Sequence, residues 1–462
     1  MNGKAVLLMN GVPVKSSNPR RVAFELLERI ERERSYADIL VDRALAGSSL
    51  KGPDRGLLNE LVFGVLRRRG TLDHIIGSCS SMAVNRLERR VLNLLRIGLY
   101  QICYLDRIPS SAAVNETVNL SKALAPKASG FINAVLRRAD REWESLPWPD
   151  REHDPAAFVA ARHSLPRWLA EKWICQLGPA EAEALAGALN ETPHLTVRVN
   201  TLRISRDDLL CRLRDEGVLA EAAGYSPDGI RVLSPVRPAA LRGFSEGLLT
   251  VQDEASQLAS LFLSPLPGES VLDVCAAPGG KATHLAQLMA NRGLVVACDR
   301  DLRKLPRIED AARRLGTSII RTQLLDASLP LNELAERRFD RILVDAPCTG
   351  LGVLRRNPEA KWRLAAHDVV RMARLQAAIL KNASHVLADG GALLYSTCSV
   401  STEENEGVIK DFLSENGDFV IEDLRTVVPG HPGLFTEQGM FRGWPHRHGM
   451  DGFFAARLRK AG

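Results

Sequence analysis

The sequence predicts three kinds of architecture in one chain: an all-α helical bundle, a small α/β module, and a C-terminal Rossmann-like α/β domain with a parallel sheet. Three observations predict them. Up to about residue 140, apolar residues recur three and four apart with few strand signals, which is the spacing of amphipathic helices. From residue 270 onward, short β-branched runs alternate with helical stretches, as in a parallel sheet covered on both faces. A length of 462 residues exceeds one ordinary core. The expected divisions are 18–150, 155–250 and 251–462.

The helical third is justified segment by segment. VAFELLERI places apolar residues at 22, 26, 27 and 30, and RVLNLLRIGLYQICYL continues with 91, 94, 95, 99, 102 and 105. Between them, RGLLNELVFGVLRRRGTLDHII is helical in spacing, with Gly70 expected to break the run after Arg67, Arg68 and Arg69. SAAVNETVNLSKALA is expected to start at an N-cap, Ser110 or Ser111, and SGFINAVLRRADREW follows. The proline-rich ESLPWPD marks the end of a bundle of roughly six or seven helices.

The middle begins with helical FVAARHSLPRWLAEKWICQLG and EAEALAGALN. It then reads strand, helix, strand, strand through TVRVN, DDLLCRLRDEG, GIRVLSP and LLTVQDEAS. Arg198, Arg203, Trp168 and Trp173 are candidate RNA contacts here, although such residues are more often ordinary surface or core. The last domain reads SVLDVC, helix KATHLAQLMANRG, LVVACD, helix RKLPRIEDAARRLG, SIIRTQLLDAS, a short helix at NELAER, and FDRILVDAPC. A long helix, HDVVRMARLQAAILKNASHVLADGG, precedes ALLYSTCS, helix EENEGVIKDFLSEN, FVIEDL and GFFAARLR.

Composition excludes several classes. No run of eighteen apolar residues is present, so no membrane span is expected. The stretch MNGKAVLLMNGVPVKSSNPRR is expected to be a flexible lead-in rather than a signal peptide, and the protein to be cytoplasmic. The eight cysteines form no CxxC pair, so neither a metal site nor a disulfide framework is expected. Charge is uneven. Of the net +6, residues 20–141 carry +8, with 21 Lys/Arg against 13 Asp/Glu, while the chain from 142 onward carries −4. A basic front on a near-neutral remainder suggests a polyanion-binding module, although alternating stretches such as ERIERERS also fit solvated helix faces.

Ligands of open α/β sheets sit at the carboxyl ends of the strands, and the unusual motifs fall there. The turn Cys275, Ala276, Ala277, Pro278, Gly279, Gly280, Lys281 follows the first strand. Asp299 follows the second, Asp326 the third, Asp345 and Cys348 the fourth, and Cys398 the fifth. The turn has PGGK where a dinucleotide fold has GxGxxG. Adjacent glycines admit close approach of a ligand without demanding a pyrophosphate. Asp299 is placed for a ribose hydroxyl and Asp326 for an adenine edge, so adenosine with a cationic sulfonium tail fits better than a dinucleotide. Cys79, Cys103, Cys175, Cys211 and Cys298 are expected to be small buried hydrophobes. Cys348 and Cys398, each just past a strand in a polar turn, differ. A thiolate adding to carbon 6 of cytosine would turn carbon 5 into a nucleophile toward an electrophilic methyl. Asp345 can stabilise a protonated ring nitrogen in that adduct, and Lys281 can favour the thiolate. The spacing does not say which cysteine attacks.

Two resemblances complete the reading. NPRRVAFELLERI, LLNELVFGVLRRRGTLD, LRIGLYQICYLDRIPSSAAVNETVNLSKAL and SGFINAVLRR resemble the antitermination factor NusB and related domains, which implies RNA binding. VLDVCAAPGGKATHLA, DAPCTGLGVLRRNPEAKW, YSTCSVSTEENE and DGFFAARL resemble the Nop2/Sun-class RNA cytosine-C5 methyltransferases. That resemblance implies a class I methyltransferase domain, S-adenosylmethionine as cofactor, Cys398 as nucleophile, Cys348 as the residue aiding product release, and Cys275 through Lys281 with Asp299, Asp326 and Asp345 as cofactor and base site. The two resemblances together imply 16S ribosomal RNA as partner, naked or in an early small-subunit assembly intermediate; a monomer with no metal and no membrane partner is further expected.

Overall fold

The computed structural model describes residues 16–33 and 35–462; the expected lead-in lies outside the described residues through position 15. The chain divides into two compact units. The first runs through Glu191 and also takes in Leu354–Arg363; the second comprises Thr192–Val353 and Leu364–Gly462.

Nine helices of the first unit carry labels: α1 (Pro19–Glu33), α2 (Ala37–Gly47), α3 (Pro53–Cys79), α4 (Arg89–Tyr104), α5 (Ser110–Leu124), α6 (Ser129–Glu142), α7 (Pro155–Arg162), α8 (Arg167–Leu177) and α9 (Pro179–Ala188). The apolar stripes of α1 to α6 meet in one core around Leu26, Leu61, Leu94, Ile97 and Leu136. Arg96 is buried there, and its guanidinium donates to both oxygens of Asp73 at 2.7 and 2.8 Å and to Glu31 at 3.1 Å.

Two local expectations fail. Gly70 does not end a helix but lies inside α3. A Cβ there would come within 2.8 Å of the Trp362 ring and 3.1 Å of Ser164 Cα, and its N–H donates to Ser164 Oγ at 2.8 Å. The helix tolerates the glycine, at a cost of about 1 kcal/mol, because no larger residue fits. Ser110 is the first residue of α5 rather than its cap; Pro109 holds the cap position, with no side-chain hydrogen bond.

The segment Leu354–Arg363 is threaded into this unit through polar contacts. Lys361, 1% exposed, donates from Nζ to the Arg67 carbonyl at 2.7 Å and to Asn190 Oδ1 at 3.2 Å. Trp362 Nε1 donates to the Leu66 carbonyl at 3.1 Å. Arg363 donates to the carbonyls of Ile30 and Ser35 at 2.9 and 2.6 Å. Burial, with Arg67 and Arg68 nearby, holds the Lys361 ammonium well below its ordinary pKa.

The second unit holds two sheets. The small one is antiparallel, formed by β1 (Leu195–Val199), β2 (Ala220–Ala222), β3 (Gly229–Val232) and β4 (Leu249–Val251) in the order β2-β3-β1-β4. Helix α10 (Arg206–Asp215) packs Leu209 and Leu213 against Val197, Val199 and Ile230. The strand–helix–strand–strand expectation holds, with the three-residue β2 added.

The large sheet has eight strands: β5 (Ser270–Asp273), β6 (Leu294–Asp299), β7 (Ile320–Leu324), β8 (Phe339–Asp345), β9 (Leu387–Thr397), β10 (Phe419–Glu422), β11 (Phe441–Gly443) and β12 (Phe453–Lys460). Its order is β10-β12-β9-β8-β5-β6-β7, with β11 on β12. Strands β5 to β9 pair in parallel and β12 closes antiparallel on β9. Chain order reverses beside β5, which pairs with both β6 and β8. That is the switch point where such sheets bind ligands.

Two expectations in this domain are corrected. The long helix ends at Ser384, and LADGG belongs to β9, where Leu387 pairs with Phe339 across a register shift and Gly390 takes φ +69°. NELAER forms only a 3-10 turn, Asn332–Leu334.

Candidate active site

The turn after β5 is built to bring backbone to the sheet edge. Ala276 N–H donates to the Cys298 carbonyl and Gly279 N–H to the Ala276 carbonyl, each at 2.7 Å. Gly279 sits at φ +103° in the left-handed region, and a Cβ there would lie 3.0 Å from Ile308 Cα. The Ala277–Pro278 peptide is cis. Arg198, from β1 of the small sheet, is 1% exposed and holds the turn from behind. It donates to the Gly280 carbonyl at 2.6 Å, to Thr283 Oγ1 at 3.1 Å and to Gln252. Arg198 is therefore a support for the turn rather than an RNA contact, and burial draws its pKa down to about 9. Trp173 is likewise fully buried, while Trp168 is half-buried and Arg203 exposed.

Two cavities meet beyond this turn. The larger, about 300 Å³, is lined among others by Cys275, Ala277, Asp299, Asp326, Asp345 and Cys348. Asp299 Oδ1 accepts the Asp301 N–H at 2.9 Å, and Lys304 Nζ lies 3.6 Å from its Oδ2. Asp326 Oδ1 accepts the Ser328 hydroxyl at 2.6 Å and its N–H at 3.0 Å, bonds that hold its pKa down. Ala276, Pro278, Gly279 and Gly280 shape the turn without lining either cavity. The smaller cavity, about 190 Å³, is lined by Asp253, Lys281, Asp345, Cys398, Asp451 and Phe453, together with Ser256, Ala346 and Val353. Asp345, Ala346 and Cys398 line both cavities; Cys348 lines only the larger.

The charged and sulfur groups converge here. Lys281 Nζ donates to Asp345 Oδ2 at 2.6 Å, and Ser396 Oγ donates to Asp345 Oδ1 at 2.9 Å. Burial alone would lower the Lys281 pKa, but Asp345, Cys398 and Asp273 together raise it, so the ammonium stays charged. The sulfurs of Cys348 and Cys398 are 3.2 Å apart. Hydrogen bonding to Cys398, then burial, then the charge of Glu404 push the Cys348 thiol well above its ordinary pKa.

Sequence reasoning missed Asp273, at the end of β5. It is fully buried, neither oxygen accepts a well-formed hydrogen bond, and burial with Asp345 nearby raises its pKa to about 7. Its place just before CAAPGG was the available signal. Of the cysteines expected in the interior, Cys79 and Cys298 are buried, Cys103 is half-buried, and Cys175 and Cys211 are exposed. Among the described residues, no helix is long and apolar enough to cross a membrane, and no group of three or more His, Cys, Asp or Glu is placed to hold a metal.

The residues present fit S-adenosylmethionine. A cavity at the switch point carries carboxylates at two strand ends, where ribose and adenine donors can bond. The carboxylates lining that cavity, Asp299, Asp326 and Asp345, suit a cationic tail.

Comparison with known proteins agrees. Residues 260–459 match the family described as 16S rRNA methyltransferase RsmB/F, residues 17–141 the NusB family, and residues 165–238 the ferredoxin-like domain of RsmF/B-like methyltransferases. The probable ribosomal RNA small subunit methyltransferase B of Bacillus subtilis is 36% identical over 451 residues, covering 97% of this chain and 100% of that one. The crystal structure of PH0851 superposes with a TM-score of 0.78 at 31% identity, over 96% of this chain and 99% of that one. A methyltransferase homolog from Pyrococcus horikoshii superposes with a TM-score of 0.58 at 33% identity, over 65% and 97%. With a NusB-type bundle, a ferredoxin-like module and a methyltransferase sheet in the order its relatives share, the chain belongs to the RsmB/F family of 16S rRNA methyltransferases.

Proposed function

We propose that this chain methylates carbon 5 of one cytosine in 16S ribosomal RNA through a covalent cysteine adduct, with Cys398 as the nucleophile. The observation that carries the reading is that Cys398 lines both cavities, one suited to the cofactor and one of base size, with Asp345 and Lys281 beside it. The methyl donor is S-adenosylmethionine, which supplies an electrophilic methyl carbon when bound. Asp299 and Asp326 would hold its ribose and adenine.

The Cys398 thiolate adds to carbon 6 of the base, forming an S–C bond. The Asp345 carboxylate stabilises the proton then carried on the ring nitrogen. The electron pair displaced by the addition makes carbon 5 nucleophilic, and carbon 5 takes the methyl. The carbon 5 proton passes to solvent water, its electron pair re-forms the C5–C6 double bond, the S–C bond breaks with its pair leaving on Cys398 as thiolate, and the ring nitrogen gives its proton back to solvent. Cys348, held as a thiol beside Cys398, assists that release. The Lys281 ammonium, held by Asp345, lines the same cavity as Cys398. The target base is flipped out of its stack at a cost of a few kcal/mol.

The test is incubation of the full chain with methyl-labelled S-adenosylmethionine and unmodified 16S rRNA, followed by mapping of the label. Label on carbon 5 of one cytosine is expected, with none from Cys398→Ala although that variant still binds cofactor. Label on another base, or normal turnover by Cys398→Ala, overturns the reading.

A further inference from the structure

We infer that Glu404 is a positioning residue that sets the Cys348 turn against Cys398 and thereby governs release of the methylated RNA; this rests on the two-cysteine reading above. Glu404 follows β9 in the 3-10 turn Thr402–Glu404, is fully buried, and lines neither cavity. Its Oε1 accepts the Thr349 N–H at 2.8 Å and Gln376 Nε2 at 3.1 Å. Its Oε2 accepts the hydroxyls of Thr349 and Ser399, both at 2.5 Å. Thr349 adjoins Cys348, and Ser399 adjoins Cys398. One carboxylate thus ties together the residues that follow the two thiols.

The surroundings indicate what this tie controls. On either side of the Cys348 turn the two segments are joined by backbone bonds, Ala346 N–H to the Ser396 carbonyl and Gly352 N–H to the Cys398 carbonyl, both 2.9 Å. Between them, the turn at Cys348 and Thr349 is held by Glu404 and by Gln376, which also donates to the Pro347 carbonyl at 3.0 Å. The Cys398 end has further anchors. Ser399 N–H donates to Thr397 Oγ1 at 3.2 Å, and Asn405 Nδ2 donates to the Ser399 carbonyl at 3.0 Å. Loss of the Glu404 carboxylate therefore loosens Cys348 more than Cys398. Addition to the base survives while release suffers.

The chemistry of the donors predicts a graded response. Glu404→Ala strands four donors. Glu404→Gln keeps an oxygen for Thr349 N–H and Gln376, and the two hydroxyls can rotate to accept from its amide. The experiment uses the full chain, 16S rRNA and labelled cofactor, with Cys348→Ala run alongside. It measures turnover, KM for the cofactor, and the fraction of protein in a denaturation-stable RNA adduct.

For Glu404→Ala we expect adduct per turnover to rise about tenfold or more, a misplacement effect, with KM for the cofactor unchanged. Glu404→Gln should stay close to the parent. Thr349→Val, which removes one donor and keeps the backbone N–H, should give a smaller rise in the same direction even if Glu404→Ala fails to fold. Adduct and turnover falling together in Thr349→Val and Glu404→Ala, or Gln impaired as severely as Ala, overturns the inference. If Cys348→Ala itself yields no adduct, the two-cysteine reading has failed instead.

Discussion

Replacing Asp273 by asparagine should stabilise the protein at alkaline pH and leave it nearly unchanged in acid. The carboxyl ordinarily ionises near 3.8; at the end of β5 it ionises near 7, because burial and the neighbouring Asp345 oppose its charge more strongly than Lys281 relieves it. Between those values the folded chain holds a proton that the unfolded chain has lost. Stability therefore falls as pH rises through the window, and the cost is complete above about pH 7 and absent below about pH 4. At 1.36 kcal/mol per pH unit, the interval amounts to roughly 4 kcal/mol. Asparagine fills the same volume and has no proton to lose. Thermal unfolding of parent and variant, compared at each pH so that shared titrations cancel, should show the variant gaining little at pH 4.5 and several degrees at pH 8. A difference that does not change with pH, or a variant less stable at pH 8, would refute the account of Asp273 as a buried carboxylate whose charge is poorly compensated.

Three further outcomes are expected. Cys348→Ala should trap a covalent enzyme–RNA adduct visible on denaturing gels, while label transfer slows. Arg198→Met removes the bonds to Gly280 and Thr283; cofactor affinity, measured by calorimetry, should drop about tenfold, since one buried charged hydrogen bond contributes about 1.5–3 kcal/mol. Gly70→Ala drives a methyl into the Trp362 ring and Ser164; urea unfolding of the helical unit should show a loss of about 1–3 kcal/mol.

What could be read from the sequence was what is local. Cys275 to Lys281, Asp299, Asp345, Cys348 and Cys398 stand out because each interrupts an apolar run at a strand end, and the sheet brings strand ends together whatever lies between them. Residues that act across the fold carry no such mark. Glu404 sits in STEENE, which reads as an exposed acidic turn until Thr349 and Ser399 are seen to donate to it. Arg198 reads as a surface cation in a strand, yet its partners lie more than fifty residues away. Gly70 looks like a helix breaker because its reason, Trp362, arrives nearly three hundred residues later. LADGG reads as a helix end, and only pairing with Phe339 makes it strand.

The placement of Leu354–Arg363 bears on how the protein is made. A ribosome that has synthesised the first 191 residues has not finished the first unit. Until residue 363 emerges, the carbonyls of Ile30, Ser35, Leu66 and Arg67 lack the donors that end up on them. The bundle must wait, incomplete, while β1 to β8 are translated, and must then accept a strip of chain from the middle of a half-built sheet. Contacts of such long sequence separation close slowly. Completion of the helical front thus depends on chain made after β8.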